Sequence, residues 1–137
     1  MAQLIDTSVI IALERWGRTL PDLAALLPDE PIALASVTVS ELLVGVHRAN
    51  TPERRLQRER FVEAVLLRVP VLPFDVVDAR VHARLWADLA EAGRLIGPHD
   101  LLIAATAVAH GYAIVSENVR EFSRIPELVV RQPAWPG

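Results

Sequence analysis

Asp6, Glu41, Asp100 and the pair Asn118 and Glu121 are the residues of this chain best placed to do chemistry together, because each borders a short apolar run. Asp6 closes Leu4-Ile5, and Glu41 comes shortly after the run from Ile32 to Val37. Asp100 opens Leu101-Leu102-Ile103, while Asn118 and Glu121 follow Tyr112 to Val115. In an open parallel sheet, ligands bind beyond the carboxyl ends of the strands, so acids at those ends can meet. Converging carboxylates with no lysine beside them repel one another and raise their own pKa values, a cost that a hard divalent cation relieves. Oxygen-only donors, without cysteine or a close histidine pair, select Mg2+ or Mn2+ over zinc. Such an ion binds a phosphate oxygen, activates water and stabilises a leaving oxygen, so phosphodiester hydrolysis needs no protein nucleophile. Gly45 lies one helical turn after Glu41 and leaves room for water or phosphate there, or else marks a close helix crossing.

Each acid also has an ordinary use. Asp6 before Thr7-Ser8, and Asp100 before its apolar run, are both placed to cap a helix. Thr38-Val39-Ser40-Glu41 reads as a capping box. Glu121 fits a solvated helical turn. The set is harder to explain this way than its members, because separate units would deliver an acid to one edge.

The elements that must position these residues alternate. Residues 3–5 read as a strand and residues 8–15 as a helix, with a further helix opened by Pro21 and running to residue 27. Residues 32–37 form an apolar run too short for a typical helix and read as a buried strand, with a helix over 38–47. Residues 52–68 form a long amphipathic helix with Leu56, Phe61, Val65 and Leu66 inward and arginines elsewhere. A strand within 69–73 leads to a second such helix over 75–92, carrying Val77, Val81, Leu85, Trp86 and Leu89 and stopped by Gly93. Residues 101–110 are apolar almost all round, a helix buried on most sides and ended by Gly111. A strand over 112–115, a helical turn over 118–122 and a last strand over 128–130 follow. The pattern predicts an α/β fold: one domain across residues 1–137, its core within about 3–130, with a parallel sheet of four to five strands flanked by helices on both faces.

Composition narrows the chemistry further. The chain is 52% hydrophobic and 23% charged over 137 residues, which suits a single buried core rather than disorder. There is no cysteine, which excludes disulfides, thiolate metal sites and thiol nucleophiles and points to the cytoplasm. All 14 basic residues are arginine. The absence of lysine removes P-loop and Schiff-base chemistry, and an aspartyl-phosphate reaction at Asp6 would want both a lysine and an acid where Ser8 stands. No apolar segment reaches the length of a membrane span. The net charge of −3 argues weakly against a nucleic-acid partner, yet setting four clustered acids aside leaves 13 against 14 arginines. Arg48, Arg54, Arg55, Arg58, Arg60 and Arg68 crowd one stretch and suit RNA, a protein partner or a solvated helix face.

Four blocks in register carry a family resemblance: Leu4-Ile5-Asp6-Thr7-Ser8, Ser36 to Leu42 with Gly45, Gly97-Pro98-His99-Asp100 with Ile103 to Ala107, and Val115 to Phe122. In order and spacing they resemble the PIN-domain ribonucleases of the VapC toxin family, over residues 4 to about 130. The resemblance implies a magnesium-dependent endoribonuclease that cuts structured RNA such as tRNA or rRNA, with Mn2+ substituting. It implies catalytic acids at Asp6, Glu41 and Asp100, which also hold the metal, and a fourth position at Glu121 because Asn118 stands where many relatives carry an acid. It further implies a homodimer and a VapB-type antitoxin partner. Thr7, Ser8, Ser116 and Asn118 lie where contacts to substrate or to the metal-binding acids occur, and His99 is a surface imidazole rather than a base. The competing expectation is a PIN-like module that binds RNA or protein without cutting, hinted at by Asn118.

Overall fold

The computed structural model describes residues 1–136. Five strands, β1 (Gln3–Ile5), β2 (Ile32–Ala35), β3 (Val71–Leu72), β4 (Ala113–Val115) and β5 (Val130–Arg131), form one sheet in the order β3-β2-β1-β4-β5. Every neighbouring pair is parallel. Among the described residues seven helices connect or follow them: α1 (Thr7–Arg15), α2 (Leu20–Ala24), α3 (Ser36–His47), α4 (Pro52–Arg68), α5 (Val76–Glu91), α6 (Pro98–His110) and α7 (Val119–Phe122). The chain builds outward from β1 through β2 to β3, then returns to add β4 on the other side of β1. The strand order therefore reverses between β1 and β4, where α/β sheets form their ligand crevice.

Alternation along the strands divides the core in two. Leu4, Ala33, Ala35 and Ile114 face one layer, with Leu85, Leu89, Ile103 and Phe122. Ile5, Leu34 and Val115 face the other, with Ile10, Leu13, Val62 and Val65. Because Leu4 pairs with Ile114 and Ile5 with Val115, the register delivers matched rows to each side. Helices thus cover both faces, as the alternating pattern predicts.

Local signals set most element ends. Thr51 caps α4 by accepting from the Arg54 amide at 3.1 Å, with Pro52 following. Asp75 and Asp78 form a capping box on α5. Gly111 stops α6 in the left-handed region at φ 70°, which a side chain would disfavour.

Several expectations are corrected. The helix opened by Pro21 is one of five residues, begins at Leu20 and ends at Ala24, because Thr19 and Asp22 form its capping box one residue earlier. The strand expected over 32–37 ends at Ala35, and Ser36 and Val37 already belong to α3. The last strand starts two residues later than expected, at Val130, and is only two residues long. Leu56, Val77 and Trp86 are exposed, since the buried stripe of each helix is narrow, with Val62 and Val65 on α4 and Leu85 and Leu89 on α5, and these three residues lie outside it. No helix among the described residues is long and apolar enough to cross a membrane.

Phe122 is fully buried in α7, next to Glu121. Phe122→Ala is expected to cost about 3–5 kcal/mol in a urea titration, the usual range for an aromatic removed from a packed core. A loss below about 1 kcal/mol would contradict this packing.

Candidate active site

Parallel strands bring the candidate acids to one edge. Asp6 leaves β1 directly and is 3% exposed. It occupies the N-cap position of α1 but makes no side-chain cap. Its Oδ2 instead accepts two hydroxyls, from Ser8 and Ser116, each at 2.7 Å. Ser116 follows β4, so these bonds close the crevice between the two strands at the reversal point. The two hydroxyls stand 3.4 Å apart. Amides complete the net: Glu117 N–H donates to Ser8 Oγ at 3.1 Å and Asn118 N–H to Ser116 Oγ at 2.8 Å.

Glu41 reaches the same edge from the second turn of α3. The capping-box reading fails, because α3 starts at Ser36 with Ala35 at its cap and Thr38 is a buried interior residue. Glu41 Oε1 accepts instead from Thr7 Oγ1 at 2.7 Å, and Thr7 lies 3.2 Å from the Thr38 hydroxyl. The Thr7 hydroxyl thus faces two acceptors, and the shorter distance marks the Glu41 carboxylate as the stronger of the two. Thr38 is a residue that sequence reasoning assigned to a cap. Its signal was present, a hydroxyl one turn before the acid on the same helix face.

Asp100 sits in the first turn of α6, with Gly97 at the cap, so it does not cap the helix either. The Asn118 amide donates to Asp100 Oδ2 and to Glu121 Oε2, each at 3.1 Å. One neutral side chain thereby holds two carboxyls within about twice that distance. His99 is largely exposed, with Nδ1 3.4 Å from Glu41 Oε2. An open concavity of about 340 Å³ is lined by Glu41, Gly97, Pro98, His99 and Asp100. On the other side of Glu41, a smaller one of about 190 Å³ includes Gly45, Ile10 and Arg58. A Cβ at Gly45 would meet nothing within 4 Å, so this glycine marks open space and not a helix crossing.

Electrostatics ties the acids together. Burial raises the Asp6 pKa, the hydroxyls of Ser8 and Ser116 and the Thr7 backbone pull it back, and the charge of Glu41 raises it again. Asp100 is lifted to about 6, first by burial, then by the charge of Asp6, a hydrogen bond shared with Glu121, and the charges of Glu121 and Glu41. No arginine pairs with Asp6, Glu41, Asp100 or Glu121 among the described residues. Among those residues, too, no three acidic or imidazole side chains already form a complete ion site. The oxygens are paired with hydroxyls and an amide instead. This donor set fits Mg2+, which is commonly held by one or two carboxylates together with water and substrate phosphate, and not by an all-protein cage.

Comparison with known proteins identifies the family. A model of the PIN-domain family matches residues 4–128. The chain belongs to the PIN-domain family. Within it the chain is of the VapC type, being 38% identical over 130 residues to Ribonuclease VapC1 of Rickettsia felis, which covers 95% of each chain. It is also 37% identical over 94 residues, 69% of each chain, to the tRNA(fMet)-specific endonuclease VapC of Shigella flexneri. Among solved structures, the complex of VapBC2 from Rickettsia felis bound to a promoter DNA fragment superposes with a TM-score of 0.86 at 26% identity. That match covers 99% of this chain and 100% of the other. The PIN-type fold expected from the four sequence blocks is therefore the fold observed.

The raised Asp100 pKa has a consequence for stability. Between pH 4 and 6 the native carboxyl, at about 6, keeps a proton that the unfolded chain, near 3.8, has released. Stability therefore falls as pH rises through that window, and the full cost is present above it. In chelator-treated buffer, Asp100→Asn is expected to stabilise the fold at pH 7.5 by about 1 kcal/mol, discounted for partial exposure, and to have little effect near pH 4. Thermal melts across pH check this; an equal effect at both pH values would contradict it.

Proposed function

We propose that this chain is the toxin of a type II toxin–antitoxin module, a Mg2+-dependent endoribonuclease acting on structured RNA such as tRNA or rRNA. The observation that carries the reading is the edge where Asp6, Glu41 and Asp100, from three separate segments, share one electrostatic environment with no arginine paired to them among the described residues. The VapC-type relatives, one named a tRNA-specific endonuclease, support the substrate class.

In this reading Asp6, Glu41 and Asp100 hold the cation, and Glu121 contributes through Asn118 or water. When bound, a divalent cation at these acids supplies an activated water and charge neutralisation at the scissile phosphate. Ser8 and Ser116 orient Asp6, and Thr7 orients Glu41. Asp100, with a pKa of about 6 before any cation is bound, is mostly a carboxylate at neutral pH and so is available as a ligand. The exposed arginines of α4 give the RNA backbone a cationic approach beside Glu41. Arg54, Arg55 and Arg60 make no ion pair among the described residues, which leaves their charge available.

The partner in this proposal is a VapB-type antitoxin, supported by the VapBC complexes among the structural neighbours. A cytoplasmic homodimer completes the reading, with exposed Phe74, Val76, Val77 and Trp86 supplying apolar surface for the second copy.

Purified protein is expected to cut tRNA or rRNA with Mg2+ or Mn2+, to lose the activity with a chelator and to regain it on adding either ion. Asp6→Asn and Asp100→Asn should each lower the rate by about 10²–10³-fold, the scale of removing a principal electrostatic contributor. Unchanged cleavage in both variants overturns the assignment. Absence of cleavage together with tight RNA binding would instead favour a non-catalytic module.

A further inference from the structure

β5 runs parallel to β4, so the chain beyond Arg131 leaves the sheet at the same edge as Asp6 and Ser116. Val115 pairs with Arg131, and Ser116 N–H donates to the Arg131 carbonyl at 3.0 Å. Gln132 is thereby brought level with Ser116. The next residues engage a carboxylate that the catalytic reading leaves unused. Gln132 Nε2 donates to Glu117 Oε2 at 3.1 Å, and the Trp135 indole N–H donates to Glu117 Oε1. The Trp135 ring meets Trp16 edge to face, with centroids 5.0 Å apart, just past the C-terminal end of α1. It packs against the same core layer as Ile10 and Leu13.

Glu117 is a junction. Both of its carboxylate oxygens are taken by the tail, while its own amide donates to Ser8 Oγ, which in turn holds Asp6. Its neighbours on either side make the other bonds of the net: Ser116 donates to Asp6, and Asn118 bridges Asp100 and Glu121. A charged hydrogen-bond acceptor with two geometric partners resists rotation of its backbone more than a free surface side chain does. A free Glu117 would also add a fifth carboxylate beside the acid edge, where like charges already compete.

We propose that residues 132–135 form a strap that positions the active site: by holding both oxygens of Glu117 they fix the 116–118 loop, and through Ser8 and Ser116 they fix the carboxylate of Asp6. The effect on catalysis rests on the nuclease reading above, whereas the effect on the loop does not. Gln132 and Trp135 are positioning residues, since neither touches the acids themselves.

The test uses Trp135→Phe, which keeps an aromatic ring against Trp16 and removes only the N–H, alone and combined with Gln132→Leu. Leu67→Ala, at a highly exposed position near the end of α4, is the control. Three quantities are read: amide hydrogen exchange at Glu117 and Asn118, the Mn2+ dissociation constant by calorimetry, and kcat and KM on RNA. In the double variant, exchange at both amides should accelerate by about tenfold or more and Mn2+ binding should weaken severalfold. kcat should fall about tenfold with KM within about twofold, as expected when pre-organisation and not substrate binding is lost. The single variant should fall between the double variant and the control. Wild-type exchange rates in the double variant overturn the strap. Faster exchange with unchanged Mn2+ affinity and kcat overturns its positioning role. Should the unaltered protein neither bind Mn2+ nor cut RNA, the nuclease reading fails, and the exchange rates alone decide whether the strap holds the loop.

Discussion

Mutual repulsion among carboxylates at one sheet edge is the constraint around which this structure is arranged. A sheet of parallel strands sends every strand's carboxyl end the same way, so residues following β1, β2 and β4 meet whether or not their charges are compatible. The fold meets the resulting strain with neutral donors. Two serine hydroxyls hold Asp6, a threonine holds Glu41, and one asparagine amide spans Asp100 and Glu121. Arginines occur elsewhere on the surface, but none is paired with these acids among the described residues. The acids are oriented without being neutralised, and the raised pKa values of Asp6 and Asp100 record the cost.

The two core layers explain how such a site keeps its shape. Asp6 lies beyond the central strand, between Leu4 and Ile5 on opposite faces behind it and the Ser116 hydroxyl beside it. α1 and the later turns of α3 pack on one layer, and α6 and α7 on the other. The site therefore spans the line where the two halves of the molecule join, and its internal distances depend on how both layers seat against a single sheet. Hydroxyl groups at that line are buried: Thr7, Thr38 and Ser116 are all nearly inaccessible to solvent. Buried donors of this kind have few alternative partners, which favours one arrangement of the acids over others.

Much of this was legible in the sequence, for reasons that differ by residue. Asp6 and Asp100 stood out because each interrupts an apolar run at an element border, and the α4 limits were readable from Thr51-Pro52 at one end. The alternation of strands and helices gave the sheet and its covered faces. Glu41 was legible as part of the set, but its local role was not: the capping-box pattern is satisfied by Thr38 and Glu41 in spacing alone, and only the early start of α3 shows that both point elsewhere. Leu56, Val77 and Trp86 mislead because periodicity marks an apolar face and says nothing of how wide a stripe of it the neighbouring elements cover. The tail bonds to Glu117 depend on the register of a two-residue strand, a long-range fact that no local pattern encodes.

The uncompensated acid edge also bears on what the crevice admits. A nucleic acid is a polyanion, and any phosphate approaching Asp6, Glu41 and Asp100 meets charge of its own sign, with no arginine paired to these acids among the described residues. On the nuclease reading, the arginines of α4 would draw a strand to the neighbourhood, and positive charge at the acids would be needed to admit it to the crevice. A divalent ion held by these acids would, on that reading, turn the crevice from one that repels a phosphate diester into one that receives it.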